Sequence, residues 1–425
     1  MARGKGGKAR RTESVVASQP SSNSANPWIS FLRWFSQPWA AAAVSLLVML
    51  LVSGAKGDFG ATSRFNYYAY LSDALLHGQL SLRLMPSSTL DLVPFDGKYF
   101  LYWPPMPAIL MMPFVAVWGV GVSDHMFNSV IAAVNVGFMA ALLNAASRRG
   151  TVDLSADRVG FLVLFFAFGT VHFVLGLLGQ VWHTGQLIGL LGGLLMYWAT
   201  LRFDGVTAFA LAGAGVAITM LSRSSMTLIA IWPAFELLRR SWPQGMLAVA
   251  GRSLVGLSPV ILAGVGFAVY NYKRFGSPTD MGVSYHLMGP SFRESYDQYG
   301  LFSVHYAPTN FYYQWLYYPL PLRADSLQGG SLLLLSPVFL AMGWAIVRRS
   351  VTSWVLLATC AVGYLPILFL MGTGYLQWGP RYLMDLFPPM MLLVAIGVRS
   401  WTNGWLWVAG GISVLHYMIG VAVRV

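Results

Sequence analysis

The feature that most limits what this chain can fold into is a series of long apolar runs separated by short polar breaks. The runs are Pro38 to Ser53, His125 to Ser147, Val159 to Leu178, Val181 to Leu201, Val206 to Leu221, Ser225 to Leu238, Ser253 to Tyr270, Ser331 to Val347, Val351 to Met371, Met384 to Val398 and Gly404 to Val421. In hydrocarbon a backbone must satisfy its own N–H and C=O groups, which a helix does within one segment, and about 20 apolar residues cross the core. The fold class expected is an all-α integral membrane protein with about eleven transmembrane helices. Composition agrees: 56% of the 425 residues are hydrophobic and 10% charged, against roughly a quarter charged in soluble domains.

The formal charge of +12 raises the question of nucleic acid, and its placement answers it. Arg3, Lys5, Lys8, Arg10 and Arg11 crowd a Ser/Asn/Gly-rich tail, and most other basic residues punctuate the apolar runs. That is the pattern of membrane topology, with the lipid bilayer as partner and no nucleic acid. Residues 1–37 are expected to form a disordered basic cytoplasmic tail, and 38–425 a single polytopic domain. The run after the tail reads as an uncleaved first span, because a signal peptide has a shorter basic region and a small-residue cleavage site. The single cysteine, Cys360, allows no disulfide within the chain and reads as an apolar filler.

With the tail placed inside, Arg148, Arg149, Arg158, Arg202, Arg239, Arg240, Arg252, Arg348, Arg349 and Arg399 all fall on the cytoplasmic side. The agreement requires that Pro105 to Trp118, with Pro105, Pro107 and Pro113, lie at the interface or re-enter rather than cross. Two large external loops result, 54–124 and 271–330, and the expected location is the plasma (inner) membrane. Cytoplasmic loops are too short for a nucleotide-binding domain, and there is no Gly-rich phosphate loop and no Cys/His cluster. That argues against an ATP-driven transporter and against a nucleotide-sugar donor. No cofactor is assigned, and no divalent metal is indicated.

Several external charges are not explained by topology. Arg64 and Lys98 lie in the first loop, Arg223 at the turn LSRSSM, Arg381 in QWGPR, and His183 in QVWHTGQ. Each alone reads as readily as a side chain snorkelling to lipid phosphate. Together they come from separate hairpins opening on one face, and convergent guanidinium groups suit a membrane-embedded phosphate. Four acids stand near them: Asp58 in the turn Gly57-Asp58-Phe59-Gly60, Asp73, Asp91 and Asp96. A helix from Ser63 to His77 would be amphipathic and interfacial, with Asp73 solvated. Asp58, closest to the membrane surface, is the first candidate for a catalytic carboxylate, and the other three are secondary candidates.

This arrangement resembles the GT-C superfamily of membrane glycosyltransferases. The resemblance rests on the acid soon after the first span, the large first external loop with interfacial helices, and the segments DGKYFLYWPPMPAILMMPF (Asp96 to Phe114), YNYKRFGSP (Tyr270 to Pro278) and QWGPRYLMDLFP (Gln377 to Pro388). It implies a polyprenyl-phosphate sugar as donor and a glycan, glycolipid or protein as acceptor. It further implies inverting displacement at the extracytoplasmic face, with Asp58 as general base and Arg223, Arg381, His183, Lys98 and Arg64 toward the donor phosphate. Family members often place a second acid beside the first, and Asp58 has no acidic neighbour. Two other readings follow from the same residues: a transporter or flippase of a lipid-linked sugar, which inverted repeats and broken helices would favour, and a non-catalytic protein retaining the fold.

Overall fold

The computed structural model describes residues 1–2, 26–347, 349–374 and 376–423. Order begins before the first expected span. Helix α1 (Pro27–Phe35) starts at an Asn26 cap whose side chain accepts the Trp28 N–H at 3.0 Å, with proline in its first turn, where a missing N–H costs nothing. It buries Leu32 and Phe35. The expected disordered tail of residues 1–37 is thus corrected at its C-terminal end, and residues 3–25 lie outside the described residues. Helix α2 (Pro38–Lys56) ends on Gly57 in the left-handed conformation, φ 74°, which glycine adopts without steric cost.

The first large loop is built rather than loose. It holds α3 (Tyr67–Leu76), an antiparallel hairpin of β1 (Val93–Phe95) and β2 (Lys98–Phe100), and α4 (Met106–Trp118). At 13 residues, α4 rises about 20 Å and is too short to cross. The long helices follow: α5 (Asp124–Arg148), α6 (Ala156–Phe168), α7 (Val171–Leu177), α8 (Val181–Arg202), α9 (Gly205–Met220), α10 (Ile231–Ser241) and α11 (Met246–Phe275). The second loop carries α12 (Pro290–Tyr299) and α13 (Ala307–Phe311). Beyond it come α14 (Leu332–Leu335), α15 (Met342–Val347), α16 (Val351–Phe369), α17 (Phe387–Gly397) and α18 (Asn403–Val423). Two short parallel strands, β3 (Gln328–Gly329) and β4 (Gln377–Trp378), tie the second loop to the segment before α17.

The protein is a multi-pass helical membrane protein, and the eleven spans expected from sequence are not all single long helices. Among the described residues, 7 helices are long and apolar enough to cross, or 8 if α6 and α7, bent by 52°, count as one span. The remaining apolar runs are short or broken for physical reasons. Helix α9 has 16 residues and rises about 24 Å, under the ~30 Å of a hydrocarbon core. The run from Ser225 opens with a 3₁₀ stretch, Ser224–Ala230, before α10. The run from Ser331 is broken at Pro337, with Ser336 held at φ −131°, ψ 68°, since a residue before proline is kept out of the α region.

Burial sorts the helices. Helix α8 and the segment Arg381–Ser400 are each 83% buried, whereas α11 is 11% buried, so α8 and α17 form the central pillar and α11 faces lipid. Helices α9 and α11 pack through glycines: a Cβ added to Gly213 would lie 1.9 Å from the Gly256 carbonyl oxygen. Without a hydrophobic drive between helices in lipid, such close backbone approach supplies the dispersion contact that holds them.

Candidate functional site: an arginine and aspartate cluster at the head of α8

Helix α8 is the spine of the site, and its sequence says why. Gly185 and Gly189, one turn apart, open a groove on one face in which the turn after α9 lies. A Cβ on Gly189 would sit 3.3 Å from Arg223 Cβ, and one on Gly185 would sit 3.2 Å from Tyr68 Oη and 3.7 Å from the Ser222 carbonyl oxygen. The adjoining residue Gln186 points to the segment that leads into α17. Its Nε2 donates to the Arg381 carbonyl and to Asp385 Oδ1, both at 2.9 Å.

Asp385 also takes the Arg223 Nε–H, so one buried carboxylate joins three elements. Arg223 and Arg381 both lie over the ring of Tyr382, at 4.8 and 4.9 Å from its centroid, a cation–π geometry that favours the charged form. Burial works against the charge on Arg223. Asp385 and Tyr382 outweigh it, and its pKa lies above the ordinary arginine value.

Arg381 differs from Arg223 in what it lacks. It is 6% exposed, its Nη2 donates to the Gly374 carbonyl at 2.7 Å, and its Nε has no hydrogen-bond partner among the described residues. Among the described residues it forms no ion pair. Three other buried polar atoms nearby are also unpartnered: Gln186 Oε1, Tyr68 Oη and Tyr270 Oη. An unmet buried polar group costs about 1–3 kcal/mol, and a polar ligand here would satisfy several at once. Two guanidinium groups against one carboxylate leave a buried positive charge, which selects an anion.

The first loop is fastened over this cluster. The Met106 N–H donates to the Leu221 carbonyl at 2.8 Å, two residues before Arg223, and an Arg274 Nη1 donates to the Leu101 carbonyl. Between these anchors Tyr102 stacks on Trp103 at 4.0 Å. Desolvation of its hydroxyl, then the nearby Asp91, Tyr382 and Tyr68, push the Tyr102 pKa well above 10 against the pull of Arg223. Tyr102 thus adjoins both the arginine cluster and Asp91.

The structure brings together three of the side chains singled out from sequence. Arg223 and Arg381 share Tyr382, and His183, 4% exposed with its Nδ1 2.9 Å from the Gly179 carbonyl, is in electrostatic range of Arg381. Others lie elsewhere. Arg64 is exposed, over the Phe65 ring at 4.7 Å. Lys98 is exposed on β2, and Asp96 with Gly97 forms the hairpin turn, at φ 47° and 67°, the pair of left-handed residues that a type I′ turn needs.

Asp73, expected to be solvated, is 7% exposed and takes a two-pronged contact from Arg83 at 2.9 and 3.0 Å. Its helix, α3, is buried on most sides rather than lying with one face in water, because α4 packs on it. Asp58 is half-buried in the turn after α2; its N–H donates to the Ser53 carbonyl and its own carbonyl accepts the Ala61 N–H.

Sequence reasoning missed Asp385, Gln186, Tyr382, Tyr102 and Tyr68. For Asp385 a signal existed: an acid just inside an apolar run, four residues after an arginine, is a functional candidate by default in a membrane segment. Among the described residues no three His, Cys, Asp or Glu side chains gather in a metal-binding group.

No family model matches the chain, and no curated protein matches it. In structure it is similar to ArnT from Cupriavidus metallidurans, solved bound to undecaprenyl phosphate, with a TM-score of 0.46 at 13% sequence identity. The similarity covers 93% of this chain and 63% of that one, so the chain spans under two thirds of that protein's length.

Proposed function

We propose that the protein is a membrane glycosyltransferase that moves a sugar from a polyprenyl-phosphate donor to an acceptor hydroxyl, with inversion, at the extracytoplasmic face. The observation that carries the reading is Arg381, a buried guanidinium with an unpartnered Nε and no ion pair among the described residues, beside a second arginine that has one. A phosphate on a membrane lipid supplies the missing anion. When the sugar leaves, negative charge grows on the phosphate oxygens, and preorganised donors there lower the barrier. Arg223, fixed by Asp385, and Arg381, held by Gly374, are such donors. His183 and Tyr102 complete the polar wall.

The acceptor hydroxyl loses its proton to a base carried by the external loops. Asp73 is held by Arg83 and Asp124 by Ser63 and the Gln180 N–H; Asp58 is the first carboxylate candidate for this role, with Asp91 and Asp96 secondary. The orientation that puts the site outside rests on the arginines at the opposite loop ends.

The test is transfer by the purified protein in nanodiscs, given a polyprenyl-phosphate sugar and cell-envelope acceptors. Product with inverted anomeric configuration, lost in both Arg223→Ala and Arg381→Ala, is the expected result. Movement of labelled lipid across the bilayer without any transfer product would replace the reading with a flippase, and neither activity with any donor would leave a protein that retains the fold alone.

A further inference from the structure

A hydrogen-bonded pair of side chains joins the two large loops. His286, in the second loop, places its Nε2 2.7 Å from Asp91 Oδ1 in the first, and the two side chains are 9% and 16% exposed. The pair is braced from several directions. The Asp91 N–H donates to the Leu287 carbonyl and the Leu287 N–H to the Leu92 carbonyl, both at 2.9 Å. Tyr67 Oη donates to the Leu90 carbonyl at 2.6 Å. Asp91 itself is held at φ 67°, an uncommon conformation for a residue with a side chain, and strain of this kind persists where surrounding structure enforces it.

Chemistry fixes the tautomer. An ionised carboxylate only accepts hydrogen bonds, so Nε2 carries the proton it shares with Asp91, and Nδ1 is left with its lone pair. The imidazole ring sits 4.5 Å from the ring of Tyr102 and 6.4 Å from that of Trp103. These are the residues that the Met106 to Leu221 and Arg274 to Leu101 bonds hold over the arginine cluster. An oriented histidine backed by a carboxylate therefore stands beside the proposed phosphate site, with the aromatic pair between them.

We infer that His286, held by Asp91, is the general base that deprotonates the acceptor hydroxyl, and that Tyr102 and Trp103 form the floor on which the transferred sugar lies. The inference rests on the transferase reading above. In the step, the acceptor O–H proton passes to His286 Nδ1 as the acceptor oxygen bonds to the anomeric carbon. The bond from that carbon to the phosphate oxygen breaks, and its electron pair stays on the lipid phosphate beside Arg223 and Arg381. The imidazolium is stabilised by the Asp91 carboxylate and gives its proton to solvent after product leaves. Asp91 is on this view a positioning residue.

The experiment uses the full-length protein in nanodiscs with a polyprenyl-phosphate sugar that the unaltered chain uses. His286→Ala is expected to lower kcat at least ~100-fold, the smaller end of what a general base supplies, with donor affinity within about twofold of the parent. Added imidazole is expected to restore part of the lost rate in His286→Ala and none in Arg381→Ala. Asp91→Asn is expected to lower kcat with little change in KM. His286→Gln, closer in size and polarity, is read by the same assays if His286→Ala binds no donor. Transfer at the parental rate in either folded His286 variant overturns the inference, as does a loss that imidazole does not restore while Asp58→Asn abolishes transfer. Both outcomes leave the transferase reading standing, since the parent still transfers; a parent that transfers nothing from any such donor removes that reading instead.

Discussion

Arg381→Ala separates a ligand-binding arginine from a structural one, because the two uses make opposite demands on stability. The Arg381 side chain has one protein hydrogen bond, to the Gly374 carbonyl at 2.7 Å, an unpartnered Nε and no ion pair among the described residues. Removing it takes a desolvated charge out of the protein and strands only one carbonyl, so unfolding free energy is expected to change by under about 1.5 kcal/mol, the net value of one hydrogen bond. Binding behaves differently. A charge-assisted hydrogen bond to phosphate is worth about 1.5–3 kcal/mol, which is a loss of roughly 10- to 150-fold in affinity at 1.4 kcal/mol per tenfold. The assay is titration of nanodisc-embedded protein with a polyprenyl phosphate, paired with denaturant unfolding in mixed micelles. A variant that unfolds readily, or one that binds the lipid as tightly as the parent, would refute the reasoning that Arg381 is held ready for an anion.

Asp385→Ala is expected to fail in the other direction: it leaves Arg223 buried without its carboxylate and Gln186 without an acceptor, a loss of about 3–5 kcal/mol readable in the same unfolding assay, with Arg223→Leu/Asp385→Leu recovering part of it. Gly213→Ala puts a methyl 1.9 Å from the Gly256 carbonyl and is expected to cost about 1–3 kcal/mol by overpacking α9 against α11; unchanged stability would show that the two helices part without cost. Asp204 accepts from Arg149 at 2.7 Å and from Arg240 at 2.9 Å, and the Arg149 bond, more than the opposing desolvation, holds its pKa below the usual carboxylate value. A depressed carboxyl stabilises the fold above its unfolded pKa and loses that contribution as pH falls through the folded value. Asp204→Asn is therefore expected to flatten the acid side of the stability profile below about pH 4, by less than about 1 kcal/mol because the aspartate is largely exposed and screened.

Comparison of the chain with its fold shows where linear pattern carries information. Each apolar run contains helix, and Pro105 to Trp118, read as non-crossing from its prolines, is a helix too short to cross. Run length did not reveal continuity: the break at Pro337 and the 3₁₀ stretch before α10 use the same residue types as an unbroken span. At the site, sidedness of charge picked out Arg223, Arg381 and His183, because a cation away from the arginine-rich loop ends needs a reason to be there. Arg64 and Lys98 met the same criterion and are exposed, since topology gives a face and not a depth.

The sequence by itself determined that this is a multi-pass helical membrane protein with a long structured loop after the first span. Hydrocarbon imposes that conclusion on any chain with such runs, whatever its detailed packing. Only the tertiary structure decided which charges are partnered. Gln186 meets Asp385 across 199 positions and His286 meets Asp91 across 195, separations at which no local periodicity operates. The partners that neutralise Arg223 and Asp73, and the absence of one for Arg381 Nε among the described residues, are properties of packing that no single stretch encodes.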